Sequence, residues 1–222
     1  MRCLAFLFFL LPSVAGAQDA VVGSGAMIST PVEISARPEA RDNEVPRARW
    51  EHRAKGDLWT RVSLRAVETH GAALLKVVPR DIGEWCPAYP ENGHRDRAAF
   101  WAGFLSTLAR YESTWNPRAV GGGGRWYGLL QIYPQTAEFR RCRVRTGEGL
   151  KRGSDNLNCA IRIMAVTVPR DNAISLKEGR WKGVAADWGP IRNDWMRRDM
   201  QRYTQRQVYC RRLEDVRPRA RP

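Results

Sequence analysis

The sequence predicts a mainly α-helical domain, with a very small β element allowed for in its glycine-rich stretch. Apolar residues recur at spacings of three and four over several long segments, while the alternating pattern of strands is scarce. The composition, with 43% hydrophobic residues and nine Trp in 222 residues, is rich enough to form a core. A chain of this length is expected to form one domain.

The first 17 residues are expected to be a signal peptide. Arg2 is followed by an apolar run over 4–11 and by the small residues of 15–17, a pattern typical of cleavage before Gln18. The apolar run is too short to span a bilayer, and no later segment is apolar for long enough to anchor the protein. We therefore expect export to the periplasm or cell envelope, or full secretion, without a stable membrane anchor.

The segments that flank the domain are expected to lack regular structure. Residues 18–49 contain three prolines and no apolar period, so they are interpreted as a flexible leader. Residues 211–222 are interpreted as a basic disordered tail. The folded domain is therefore predicted to cover 50–210.

Five segments carry a helical pattern. The first ends before Pro79, and the segment after Asn116-Pro117 includes four consecutive glycines, 121–124, which are interpreted as a mobile connector. The predicted helices cover 50–78, 94–112, 133–139, 154–168 and 191–208.

The cysteines of an exported protein are expected to pair. Loss of Cys3 with the signal peptide leaves Cys86, Cys142, Cys159 and Cys210, and four cysteines allow three pairings. The short loop favours Cys142 with Cys159, which leaves Cys86 with Cys210. No spacing of cysteines or histidines fits a metal site, so no metal and no cofactor is expected.

The chain is strongly basic, with 37 Lys and Arg against 23 Asp and Glu and a formal net charge of +14. Export and the lack of any nucleic-acid-binding pattern argue against nucleic acid as a partner. An acidic polymer outside the cytoplasm fits the charge better. The alternative is that the arginines only form solvated helix faces.

Glu112 does not fit its local sequence pattern. It continues an apolar helical stripe and lies in the last turn of the predicted helix, where the helix dipole disfavours a negative charge. Both effects raise the pKa of a carboxyl group, and a general acid for glycosidic cleavage needs a raised pKa. The stripe consists of Trp101, Phe104, Leu105, Leu108 and Tyr111.

Three short motifs follow in order: Tyr-Glu-Ser at 111–113, Gly-Leu-Leu-Gln at 128–131, and Ala-Asp-Trp-Gly-Pro at 186–190. Over roughly residues 96–192 the chain resembles the soluble lytic transglycosylases, exported enzymes with a goose-type-lysozyme-like domain that cleave peptidoglycan. Leu130 stands where that family usually has Met. The third motif departs from the family's Ala-Tyr-Asn.

The resemblance implies roles for individual residues. Glu112 would act as acid and then as base, so that the bond between N-acetylmuramic acid (MurNAc) and N-acetylglucosamine (GlcNAc) is cleaved with formation of a 1,6-anhydro ring. Ser113 would steady Glu112 by hydrogen bonding or simply end the helix, and Gln131 would face the sugar or its peptide stem. Trp126 is expected to line the groove, and Trp188 either to stack on a sugar or to pack the end of the domain.

Other readings stay open from the sequence. Asp187 could position water in a hydrolase on the same scaffold, since ordinary glycosidases need two carboxylates. The altered third motif also allows an inactive wall-binding accessory protein of a secretion system, and the charge alone allows a binder of membranes or polyanions. Four further tryptophans are assigned to the core: Trp59, Trp85, Trp101 and Trp195.

Overall fold

The computed structural model describes residues 45–212, which are mainly helical and include two small β-hairpins. Its helices are α1 (Gly56–Glu68), α2 (Ala72–Lys76), α3 (His94–Ser113), α4 (Pro134–Phe139), α5 (Gly147–Leu150), α6 (Gly153–Asp171) and α7 (Asp194–Gln205). Its strands are β1 (Val120–Gly121), β2 (Trp126–Tyr127), β3 (Lys177–Glu178) and β4 (Arg180–Trp181). The predicted fold class is therefore confirmed.

Helix α3 forms the centre of the core. Its residues are buried without interruption from Ala98 to Ala109, so neighbours cover it on all sides. Helices α1 and α7 pack against it, and α6 packs against α1. Two aromatic side chains are hydrogen-bonded inside this core: Trp101 donates to the Tyr89 hydroxyl at 3.0 Å, which donates to the Leu74 carbonyl at 2.8 Å.

The N-terminal part of the domain differs from the sequence prediction in two ways. The helix expected over 50–78 is divided into α1 and α2, and a Cβ at Gly71 would lie 2.6 Å from Ile161 of α6. The domain also begins earlier than residue 50, because Ala48 is buried and Arg49 pairs with Asp199 of α7. The predicted signal peptide, the part of the predicted leader up to residue 44 and residues 213–222 of the predicted tail lie outside the described residues.

The glycine-rich stretch forms a hairpin, so the expected mobile connector is wrong. Strands β1 and β2 are antiparallel, with Val120 opposite Tyr127, and the turn is closed by a hydrogen bond from Gly124 N to Gly121 O at 3.1 Å. Three of the four glycines have positive φ, which suits a tight turn. The hairpin leads directly into the Gly-Leu-Leu-Gln segment.

Two disulfides join Cys86 to Cys210 and Cys142 to Cys159, the pairs favoured from the sequence. The first bridge links the chain ahead of α3 to the last turn after α7, and the second links the segment after α4 to α6. Across residues 45–212, no helix has the length and apolar character needed to cross a membrane.

Candidate active site

Glu112 lies at the penultimate position of α3, where the helix leaves the core. Leu108 and Leu105, one and two turns before it, are fully buried, whereas Glu112 itself is only partly buried. The helix ends because Thr114 adopts a left-handed conformation with φ 51°. The core stripe therefore carries the carboxyl group to the edge of the hydrophobic interior.

The Glu112 carboxylate lacks the partners that usually stabilise a buried charge. No hydrogen bond or ion pair joins it to any other described residue. Burial disfavours the ionised form and raises the pKa of Glu112 to about 7. This carboxyl group can both give and take a proton near neutral pH.

Ser113 connects the end of α3 to the Gly-Leu-Leu-Gln segment. Its hydroxyl lies 2.8 Å from the Leu129 carbonyl and 3.2 Å from the Ala109 carbonyl, and both are acceptors. The hydroxyl proton is therefore directed at backbone oxygens, and the expected hydrogen bond from Ser113 to the Glu112 carboxylate is absent from the structure. Ser113 instead fixes the loop beside Glu112.

Asn156, near the start of α6, also binds the Gly-Leu-Leu-Gln segment through its side chain. Its side chain is fully buried, accepts from the Leu130 amide at 2.9 Å, and donates to the carbonyls of Tyr127 at 2.8 Å and Leu150 at 3.0 Å. Gly128 is required at this point, because its φ is +80° and a Cβ would lie 2.2 Å from the Leu150 carbonyl oxygen. From the sequence, Asn156 is interpreted only as a residue at the start of a helix.

Gln131 was expected to contact the sugar, but in the structure its side chain bonds to the protein backbone. Its amide nitrogen donates to the carbonyls of Gly128 at 2.9 Å and Ala119 at 3.3 Å. A Cβ at Gly121 would lie 2.3 Å from its amide oxygen, so that oxygen lies against β1. Gln131 therefore binds the hairpin to the loop, and both amide hydrogens are directed into the protein.

The two tryptophans considered for the groove have different environments. Trp188 is only 4% exposed and donates to the Leu130 carbonyl at 2.9 Å, so the proposal that it stacks on a sugar is wrong. Trp126 is 41% exposed. Its ring lies against Gly122, and the Arg125 guanidinium lies 5.1 Å from its centre. Trp126 remains available to a ligand.

Asp187 does not form a pair with Glu112. Burial raises the pKa of Asp187, while nearby Arg140 and Arg170 act in the opposite direction. Asp187 is absent from the causes that shift the pKa of Glu112, which is affected by burial alone. Across the described residues no group of three or more His, Cys, Asp and Glu side chains could hold a metal ion.

On the other side of Glu112, Tyr111 connects α3 to α7. Its hydroxyl donates to the Asp199 carboxylate at 2.5 Å, and burial together with Asp199 raises the pKa of Tyr111 to about 12. The Trp195 ring lies edge-on to Tyr111, with ring centres 5.8 Å apart. Trp195 is 58% exposed, so its assignment to the core is wrong.

A helical domain with a glutamate of raised pKa beside a tightly bonded loop is typical of lysozyme-like proteins. Residues 91–186 match the family described as "Transglycosylase SLT domain". Residues 91–186 are therefore similar to an SLT domain, and the SLT family acts on the glycan strands of peptidoglycan.

Solved structures of one other protein, Bd0314 DslA, are similar to the chain. The wild-type form 2 is 28% identical with a TM-score of 0.69, and the match covers 76% of this chain and 100% of that one. Two DslA mutants, each with one Glu replaced by Gln, match over the same shares at 27% and 28% identity and TM-scores of 0.69 and 0.70. No curated protein sequence matches the chain.

Proposed function

We propose that this protein is a lytic transglycosylase, which cleaves the β-1,4 bond between MurNAc and GlcNAc of peptidoglycan and leaves 1,6-anhydro-MurNAc ends. The observation that carries the proposal is the state of Glu112. Its carboxyl group has a pKa raised to about 7 by burial and is held by no hydrogen bond from another described residue. It is therefore free to exchange a proton with a substrate.

The reaction needs Glu112 twice. The protonated carboxyl group first gives its proton to the glycosidic oxygen, and the C1–O bond breaks while the acetamido group of the substrate stabilises C1. The carboxylate then takes the proton of the C6 hydroxyl, and O6 bonds to C1 to close the anhydro ring. The proton returns to Glu112, so no water is consumed and the carboxyl group is ready for another cycle.

The placement of the acidic residues supports a lyase over a hydrolase that uses Asp187. Ordinary retaining and inverting glycosidases need two carboxyl groups that flank one bond. The charged neighbours of Asp187 are Arg140, Arg170 and Asp171, and Glu112 is not among them. A mechanism in which the substrate's own acetamido and hydroxyl groups supply the remaining chemistry needs only Glu112.

The test is product analysis by mass spectrometry after incubation of the protein with purified peptidoglycan. We expect soluble muropeptides that are lighter by one water than their reducing counterparts, and none from Glu112→Gln. Reducing MurNAc ends would select the hydrolase. A folded protein that binds the wall but releases no product would select the accessory protein.

We also propose that the protein works in the cell envelope after removal of residues 1–17. The cleavage pattern before Gln18 and the net charge of +14 support this location, since the wall is polyanionic. N-terminal sequencing of the protein from isolated periplasm should begin at Gln18. A protein recovered only from the cytoplasm with its first residues intact would contradict the proposal.

A further inference from the structure

The helical geometry of α3 places Glu112 between two different structures. Successive residues of an α-helix differ by about 100° around its axis, so Tyr111 and Ser113 lie on opposite sides of Glu112. Tyr111 bonds to Asp199 of α7, whereas Ser113 bonds to Leu129 of the loop. The carboxyl group is therefore flanked by α7 on one side and by the loop and its hairpin on the other.

Each flank carries one exposed tryptophan. Trp126 of β2 is 41% exposed on the hairpin side, and Trp195 of α7 is 58% exposed. The sequence analysis expected only the first of them to be available to a ligand. An exposed Trp ring gains free energy when a ligand covers its face, because the ring is large and apolar.

The position of Trp195 is fixed by its surroundings. Asn193 caps α7 and accepts from the Trp195 amide at 3.0 Å and the Met196 amide at 3.1 Å. The ring packs at 81° against Tyr111, and the Tyr111 hydroxyl is held by Asp199. A ring held in this way loses little conformational entropy when a ligand binds.

The residues around Trp195 favour a sugar over a protein partner. Its neighbours in sequence Arg192, Asp194 and Arg198 are exposed and charged, so the exposed ring has polar side chains close to it. Protein interfaces usually have a larger apolar centre. A pyranose ring presents one apolar face edged by hydroxyl groups, which matches a lone aromatic ring with polar neighbours.

We propose that Trp195 is a stacking platform for a sugar of the peptidoglycan strand, on the α7 side of Glu112. The inference rests on the proposed function, because the strand that stacks on Trp195 is the strand that Glu112 cleaves. Trp126 and Trp195 then contact the strand on opposite sides of the cleaved bond. Trp195 contributes to binding and takes no part in proton transfer.

The experiment measures binding of soluble, uncleaved peptidoglycan strands to the Glu112→Gln protein, in which turnover is blocked. We expect Trp195→Ala to weaken binding about tenfold, an effect common when an interface tryptophan is truncated. Trp195→Phe should keep most of the affinity, because an aromatic face remains. Phe139→Ala is the matched control, since Phe139 is a 78% exposed aromatic whose ring contacts Arg140.

A kinetic measurement separates stacking from a structural role. With Glu112 intact, Trp195→Ala should raise KM for long strands about tenfold and leave kcat and the pH profile unchanged. Equal binding by Trp195→Ala and Phe139→Ala would overturn the inference, while product analysis would still decide the proposed function. If binding depends on Trp195 but the wild-type protein releases no product, the proposed cleavage is wrong and the stacking role of Trp195 stands.

Discussion

The end of α3 and the loop over residues 128–131 adjoin each other, but they differ in whether their polar groups are hydrogen-bonded. In and around the loop, polar side chains donate to backbone carbonyls at 2.8–3.3 Å. The donors are Gln131 of the loop, Asn156 of α6 and Trp188. At the end of α3, the Glu112 carboxylate accepts no hydrogen bond from another described residue. The loop is bonded as a scaffold, and the helix end keeps a reactive group.

The difference teaches where the protein accepts an energetic cost. A partly buried carboxylate without partners destabilises the fold, and such groups are found mainly at functional sites. The network through Asn156 and Ser113 keeps the surroundings of Glu112 rigid despite that cost. If this comparison is right, substitutions at the helix end should affect chemistry, and substitutions in the loop should affect stability first.

The largest expected effect is on activity. Glu112→Gln should lower peptidoglycan cleavage by about 10³-fold or more, because general acid and general base catalysis are both lost. The variant should stay folded, since Gln has nearly the same shape. Muropeptide release over time gives the rate. The control is Glu138→Gln, an exposed glutamate at the end of α4, which should keep wild-type activity; a loss there of similar size would contradict the assignment.

Next is the stability of the loop. Asn156→Ala removes three hydrogen bonds from a fully buried site and leaves backbone groups unpaired, so the free energy of unfolding should fall by about 3 to 5 kcal/mol. Urea unfolding measures it. Asn158→Ala, two residues further along α6, loses one bond to Ser154 and should cost less than about 1 kcal/mol. Equal losses would show that the Asn156 network contributes nothing special.

The third effect is a pH dependence of stability. The pKa of Glu112 is raised from 4.5 to about 7, so the folded state binds a proton more tightly than the unfolded state. Ionisation therefore destabilises wild type progressively from about pH 4.5 to 7, by at most about 3 kcal/mol. Glu112→Gln should be the more stable protein at pH 8 and match wild type at pH 4. Parallel stability curves would exclude the raised pKa.

The smallest effect concerns the link between the two regions. Ser113→Ala removes the hydrogen bond to Leu129 and should lower stability by about 1 kcal/mol, with a modest loss of activity because the loop beside Glu112 loosens. Thr69→Ala is a suitable control, since its hydroxyl bonds only to nearby residues in sequence, the carbonyls of Arg65 and Ala66 and the ring of His70. If Ser113→Ala has wild-type stability and activity, the bond from Ser113 to Leu129 does not support the site as proposed.

Helical periodicity predicted the parts of the fold that depend on local pattern. The expected helix over 94–112 corresponds to His94–Ser113, since its apolar stripe is long and regular. The division of the first predicted helix at Gly71 was missed, because its cause is the close approach of Ile161 from a distant helix. For the hairpin of β1 and β2 the sequence only allowed a very small β element without placing its strands, because glycines carry no side-chain pattern.

The site was predictable only where a residue contradicted its local pattern. Glu112 stood out because a carboxylate continued an apolar stripe. Asn156 did not, since an Asn near a helix start has a local explanation and its three partners are 6 to 29 residues away in sequence. Trp195 was wrongly assigned to the core, and Trp188 was left between stacking on a sugar and packing the end of the domain, because burial in short turns and at a helix start depends on tertiary contacts.

The disulfides give the domain the topology of two nested closed rings. Cys86 and Cys210 are 124 residues apart in sequence, and the ring that they close includes Glu112 and the hairpin. Cys142–Cys159 closes a smaller ring inside it. A protease that cuts once after Arg125, in the exposed hairpin turn, therefore cannot separate the piece with Glu112 from the piece with Gln131. Such a nicked molecule should migrate as one species until its disulfides are reduced, so the protein can survive a cut in this exposed turn as a single covalent unit.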